Sequence, residues 1–144
     1  MKIFTTTTAE ETEQLAAELL PAILNKKVVL LSGPLGSGKT TFVKGLAKAL
    51  KVKKAVTSPT YAYVNAYALP VTRNEQPANQ LFHFDLYRLP ENTARFPELE
   101  EVLEEEDALI VVEWPERIPT FSCEAVVLKF EKQDVKHVIS MLDS

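Results

Sequence analysis

Eight residues, Gly33-Pro34-Leu35-Gly36-Ser37-Gly38-Lys39-Thr40, follow the pattern G-x-x-x-x-G-K-[ST]. Glycines at this spacing let successive backbone N–H groups turn inward and cradle an anion. A helix starting at Lys39 adds the positive end of its dipole. In such a loop the lysine ammonium reaches the β- and γ-phosphates of a nucleotide. The hydroxyl that follows it binds the Mg²⁺ bridging those phosphates. Gly33, Gly36, Ser37, Gly38, Lys39, Thr40 and Thr41 are therefore the candidate phosphate-binding residues, with Thr40 also a candidate metal ligand. The only other glycine in the chain is Gly45, so glycine is kept almost entirely for this loop.

A phosphate loop needs acids beside its metal. Glu113 follows the apolar run Ala108-Leu109-Ile110-Val111-Val112, as an acid ends the hydrophobic strand of a Walker B site. It could bind Mg²⁺ directly, bind it through water, or orient the attacking water. Asp85 could do the same from a second strand, where it shares a polar face with His83. A salt bridge from Asp85 to Arg88 is the structural alternative. Lys39, Asp85 and Glu113 are the candidate catalytic residues. Ser58-Pro59-Thr60-Tyr61 offers Thr60 as a hydroxyl that senses the γ-phosphate, or else an ordinary turn entering a strand.

The elements that must position these groups are readable from apolar period. Thr8 to Glu11 fits a capping box, and Leu15, Ala16, Leu19, Leu20 and Ile23 recur with helical spacing. Pro21 and Asn25 are expected to mark the end of that helix. Val28 to Leu31 reads as a strand buried on both faces. The helix from Lys39 carries Phe42, Val43, Leu46, Ala47 and Leu50 on one side. Thr60 to Leu69 and Leu81 to Tyr87 read as extended and able to pair antiparallel. Leu99, Val102 and Leu103 form the apolar side of a short acidic helix. Ala108 to Val112, Ala125 to Phe130 and His137 to Leu142 read as further strands. The expected fold is α/β: a three-layer sandwich of phosphate-loop type, with a mixed sheet, parallel at its centre with antiparallel additions, and helices on both faces.

Size and composition agree with one domain spanning residues 1–144. The longest unbroken apolar run has five residues, against the ~20 needed to span a bilayer, so no membrane role is expected. A single cysteine, Cys123, excludes an internal disulfide framework and a multi-cysteine zinc site. A reducing, cytoplasmic setting is the default reading. Seven of the ten residues from Glu98 to Asp107 are acidic, while Lys44, Lys48, Lys51, Lys53 and Lys54 gather along and beyond the phosphate helix. Solvated helix faces are the simplest reading of both. The lysines could alternatively meet nucleic-acid phosphates or an acidic partner surface.

The order of motifs carries a resemblance. Leu35-Gly36-Ser37-Gly38-Lys39-Thr40-Thr41, Ser58-Pro59-Thr60-Tyr61, His83-Phe84-Asp85-Leu86-Tyr87-Arg88-Leu89 and Val112-Glu113-Trp114-Pro115-Glu116 occur in that sequence. This series, spanning roughly residues 8 to 120, resembles the bacterial TsaE (YjeE) family, the small ATPase of threonylcarbamoyladenosine (t6A) tRNA modification. The resemblance implies ATP and Mg²⁺ as cofactors. It implies the transferase subunits TsaD and TsaB as partners, with tRNA met through that complex. It also implies Thr40 and Glu113 on Mg²⁺, Asp85 near the metal or the attacking water, and Trp114 in support of the site. GTP is disfavoured independently, because no Asn-Lys-x-Asp follows the phosphate loop. A small-molecule or nucleoside kinase is the alternative, although its usual arginine-bearing lid has no counterpart among the scattered Arg73, Arg88, Arg95 and Arg117.

Overall fold

A computed structural model describes residues 1–59, 62–70 and 78–142. Seven strands form one sheet: β1 (Lys2–Thr6), β2 (Val28–Ser32), β3 (Val64–Ala68), β4 (Gln80–Asp85), β5 (Ala108–Glu113), β6 (Val126–Gln133) and β7 (Lys136–Leu142). Their order is β1-β7-β6-β2-β5-β4-β3. The four central strands β6, β2, β5 and β4 run parallel, and β1, β7 and β3 add antiparallel. This is the expected mixed sheet. The anticipated pairing of the Tyr-rich segment with the His83–Asp85 strand is the β3–β4 ladder.

Helices α1 (Ala9–Lys26) and α2 (Lys39–Ala49) cover one face, and α3 (Pro97–Leu103) packs on the other. Strand parity explains the two cores. Val29, Leu31, Leu81, Leu109 and Val111 point toward α1 and α2, with Phe42, Leu46 and Phe130. Val28, Phe84, Ile110 and Val112 point the other way, toward Leu99 of α3. β5 is buried along its whole length, as a central parallel strand must be.

The first helix ends within one residue of the expected Asn25, but differs from expectation in its capping and at Pro21. Thr8 caps it as anticipated, taking the Glu11 amide at 3.1 Å. The Glu11 carboxylate, however, accepts from the amide and hydroxyl of Thr7, at 2.7 and 2.9 Å. Nor does the helix stop at Pro21. It runs to Lys26 and closes where Lys27, at φ 68°, donates its amide to the Ile23 carbonyl. An internal proline costs about 3 kcal/mol, and burial of Leu19 and Ile23 on either side of it offsets that cost. β1 has no counterpart among the expected elements; it forms because β7 presents an open edge to pair with. No helix among the described residues is long and apolar enough to cross a membrane.

Candidate functional site

The parity that builds the core also builds the site. Asp85 ends β4, Glu113 ends β5, and the two are direct register partners in the parallel ladder. Both continue the side-chain row that includes Leu81, His83, Leu109 and Val111, so both face α2. The first residues of α2 are Lys39 and Thr40. Gly38 caps that helix at φ 107°, a conformation L side chains rarely adopt, and so turns the loop into the helix. Gly33 lies against β6: a Cβ there would sit 2.3 Å from the Phe130 carbonyl oxygen.

Loop, helix start and strand ends enclose a cavity of about 330 Å³. Gly36, Gly38, Lys39, Thr40 and Thr41 border it, together with Asp85, Glu113, Trp114 and Ser58. Thr40 Oγ1 lies 3.4 Å from each Glu113 carboxylate oxygen. His83, fully buried, donates from Nε2 to Glu113 Oε2 at 2.5 Å. Lys39 donates to the Gly33 carbonyl, and its ammonium stands 3.9 Å from the centre of the Trp114 ring. Trp114 takes up φ 61°, which for so bulky a residue is strained. Tyr87 packs on the indole at 5.0 Å between centroids, and Arg117 packs on it at 5.0 Å. Arg117 also donates to the Tyr87 carbonyl and to Glu91. It is thus a clamp behind the tryptophan.

Charge in the site is unbalanced. Burial pulls the Lys39 ammonium below its usual pKa, against the pull of Glu113, Glu116 and Asp85. Burial, and then the Glu113 charge, hold the Asp85 carboxyl above the usual aspartate range. Asp85 accepts from the Tyr87 amide at 3.1 Å, and the alternative ion pair with Arg88 is not formed. The Glu113 carboxylate facing the Thr40 hydroxyl, with Asp85 next to it in the ladder, makes an oxygen-only donor set. That set suits Mg²⁺, which takes one or two carboxylates and fills its shell with water and phosphate. A closed cage is not expected for such an ion, and among the described residues no group of three or more His, Cys, Asp or Glu forms one. The Ser37 hydroxyl is buried in the loop without a partner.

The profile of the family described as "Threonylcarbamoyl adenosine biosynthesis protein TsaE" matches residues 6–139. The chain belongs to the TsaE family. It is 44% identical over 110 residues to a protein of Aquifex aeolicus named tRNA threonylcarbamoyladenosine biosynthesis protein TsaE, covering 75% of this chain and 72% of that one. Proteins of the same name from Nostoc and Synechocystis are 37% and 35% identical, over 76% and 75% of this chain. The match spans just under two thirds of those two relatives, 65% and 66%. The crystal structure of Bacillus subtilis YdiB superposes with a TM-score of 0.68 at 27% identity, covering 97% of this chain and 83% of that one. The TsaE family takes part in t6A biosynthesis on tRNA, and the α/β fold is common to chain and neighbour.

Most residues expected in the site meet around this one cavity. Ser37 lies buried within the loop, Gly33 serves through its carbonyl, and Thr60 falls outside the described residues. Two histidines escape the motif reading, while the start of the first helix, a candidate nucleotide contact from the sequence, does border the cavity through Thr8 and Thr12. His83 holds Glu113, although a lone histidine beside phenylalanines reads as packing. His137 borders the cavity from β7, a hundred residues beyond the loop it touches.

Proposed function

We propose that this chain is a Mg²⁺-dependent ATPase serving t6A modification of tRNA, and that it works on the TsaD–TsaB transferase as a nucleotide-controlled switch. The observation that carries this reading is the convergence of the Thr40 hydroxyl and the Glu113 carboxylate, 3.4 Å apart, beside Lys39 at the head of α2. Thr40 and Glu113 would hold the ion, which when bound neutralises charge developing on the transferred phosphoryl group. The loop amides and the Lys39 ammonium bind and orient the β- and γ-phosphates. Asp85, kept partly desolvated at the end of β4, orients the attacking water. His83 keeps the Glu113 carboxylate turned toward Thr40.

No arginine borders the cavity among the described residues. A charge supplied by a partner can raise such hydrolysis by ~10³–10⁵, so turnover is slow alone and rises with the transferase subunits. The same lack of arginine removes support from the kinase alternative. Single-turnover hydrolysis of labelled ATP, with and without TsaD and TsaB, tests the reading. Release of phosphate that depends on Mg²⁺ and is accelerated by the subunits is the expected result. Transfer of the label to a small-molecule acceptor, or no cleavage in either condition, overturns it.

A further inference from the structure

The cavity has two flanks. The sheet order puts β5 and β4, with Glu113 and Asp85, on one side of β2, and β6 and β7 on the other. On that second side His137 and the start of α1 border the cavity, and His137 is itself the register partner of Thr6 in the β1–β7 ladder. If ATP binds as proposed above, the loop and the acidic flank take its phosphates and metal. The nucleoside then lies along the flank made by His137, Thr8 and Thr12.

His137 Nδ1 lies 2.8 Å from the Ser37 carbonyl oxygen. A carbonyl only accepts, so Nδ1 carries the hydrogen. In the neutral ring Nε2 is then a bare acceptor. No described residue engages it. The loop packs directly on the ring: a Cβ at Gly38 would sit 3.4 Å from Nδ1. The imidazole is therefore pinned by one nitrogen while it forms cavity wall. An acceptor in that place cannot pair with phosphate oxygens, which also accept, but it can take the hydrogen of a hydroxyl. The part of a nucleotide that adjoins the phosphates and carries hydroxyls is the sugar.

We propose that His137 accepts a hydrogen bond from a ribose hydroxyl of the bound nucleotide, and so makes the site favour ribonucleotides over their deoxy counterparts. This rests on the ATP reading and adds a specificity residue to it. Calorimetric titration of the wild type, His137→Ala and His137→Gln with the Mg²⁺ complexes of ADP, 2′-deoxy-ADP, 3′-deoxy-ADP and purine riboside diphosphate tests it. The wild type should bind ADP about 2- to 10-fold more tightly than the deoxy analogue lacking the donor, the worth of one net hydrogen bond. His137→Ala should lose that preference. His137→Gln, which keeps both a donor and an acceptor, should recover part of it. Equal wild-type affinity for ADP and both deoxy analogues overturns the proposal, as does a preference undiminished in His137→Ala. An equal loss of all four ligands in the variants overturns it too, since that marks loop support alone. So does a penalty confined to purine riboside diphosphate, which would place the contact on the base amino group. Absence of any nucleotide binding by the wild type overturns the ATP reading itself, and this proposal with it. If His137→Ala does not fold, the wild-type comparison and His137→Gln still decide.

Discussion

His83 and Glu113 share a 2.5 Å hydrogen bond, with the imidazole fully buried and the carboxylate nearly so. One carboxylate oxygen is thereby committed to the imidazole, and the group's rotation is fixed relative to Thr40. Replacing His83 with Leu would leave that carboxylate buried without its donor. The expected loss of stability is about 1–3 kcal/mol, read from urea unfolding midpoints. His83→Gln, which can donate from a similar place, should recover part of it. Wild-type stability in His83→Leu would show that the bond does not hold the strand ends together.

Glu113→Gln keeps the shape and a hydrogen-bonding partner for His83 but removes the charge facing Thr40. Hydrolysis should fall by about 10²-fold or more, and the Mg²⁺ concentration needed for half-maximal nucleotide binding should rise. Titrating Mg²⁺ at fixed ADP checks this. An unchanged Mg²⁺ requirement would move the metal-ligand role from Glu113 to Asp85.

Asp85→Asn separates function from stability. Burial and the Glu113 charge raise the Asp85 pKa in the folded chain, so the folded state binds this proton more firmly than the unfolded one. The contribution of Asp85 to stability therefore declines as pH rises from its unfolded pKa through its raised folded pKa. Above that window the full cost of the buried charge is present. At neutral pH Asp85→Asn should unfold at higher urea than the wild type, and the difference should shrink as the pH is lowered through the window. Its hydrolysis should meanwhile drop by about 10²–10⁴-fold. A variant less stable than wild type at pH 7, or one with native turnover, would refute the respective half.

Lys39→Ala removes an ammonium that burial already disfavours and that rests on Trp114. Affinity for Mg-ADP should fall by about 10- to 100-fold, the worth of a charged hydrogen bond. Folding stability should change by less than about 2 kcal/mol, since a cation–π contact of this kind contributes 0.5–2. The chain has one tryptophan, so its fluorescence reports both the lost stacking and the weakened binding. Undiminished affinity would remove Lys39 from the phosphate site.

Gly45→Ala tests packing away from the site. Alanine favours helix over glycine by about 1 kcal/mol. Against this, the new Cβ would stand 2.5 Å from Glu13 Cα, where α1 backbone would have to move. Overpacking of that kind costs about 1–3 kcal/mol, so a net loss of stability is expected. Thermal unfolding at or above the wild-type midpoint would show that the helices separate freely.

Legibility in the sequence followed the range of the interaction. The phosphate loop, the α2 core face and the buried β5 strand are local patterns, and each was readable from its own segment. Glu113 was readable as a candidate because it ends an apolar run, and Asp85 because alternation puts it on the polar face of a strand read on to Tyr87, whereas β4 stops at Asp85 itself. That both border one cavity with Thr40 depends on β4 and β5 sharing register, which no local pattern states. The helix passed Pro21 because tertiary burial of Ile23 outweighs a local breaker. β1 was not readable, since Lys2–Thr6 has its partner at the far end of the chain. His83 and His137 were hidden for the same reason: each is defined by a residue in another strand or loop.

The bond between Ser37 and His137 joins residues a hundred positions apart, and this orders events during synthesis. At 5–20 residues per second, β7 leaves the ribosome about 5–20 s after the phosphate loop. Until then the loop lacks the backing of His137, and Gly33 lacks that of Phe130 on β6. A nascent chain would therefore carry its whole recognition motif while being a poor nucleotide binder. The competence to bind waits for the β6–β7 hairpin to dock, about a hundred residues after the motif itself is made.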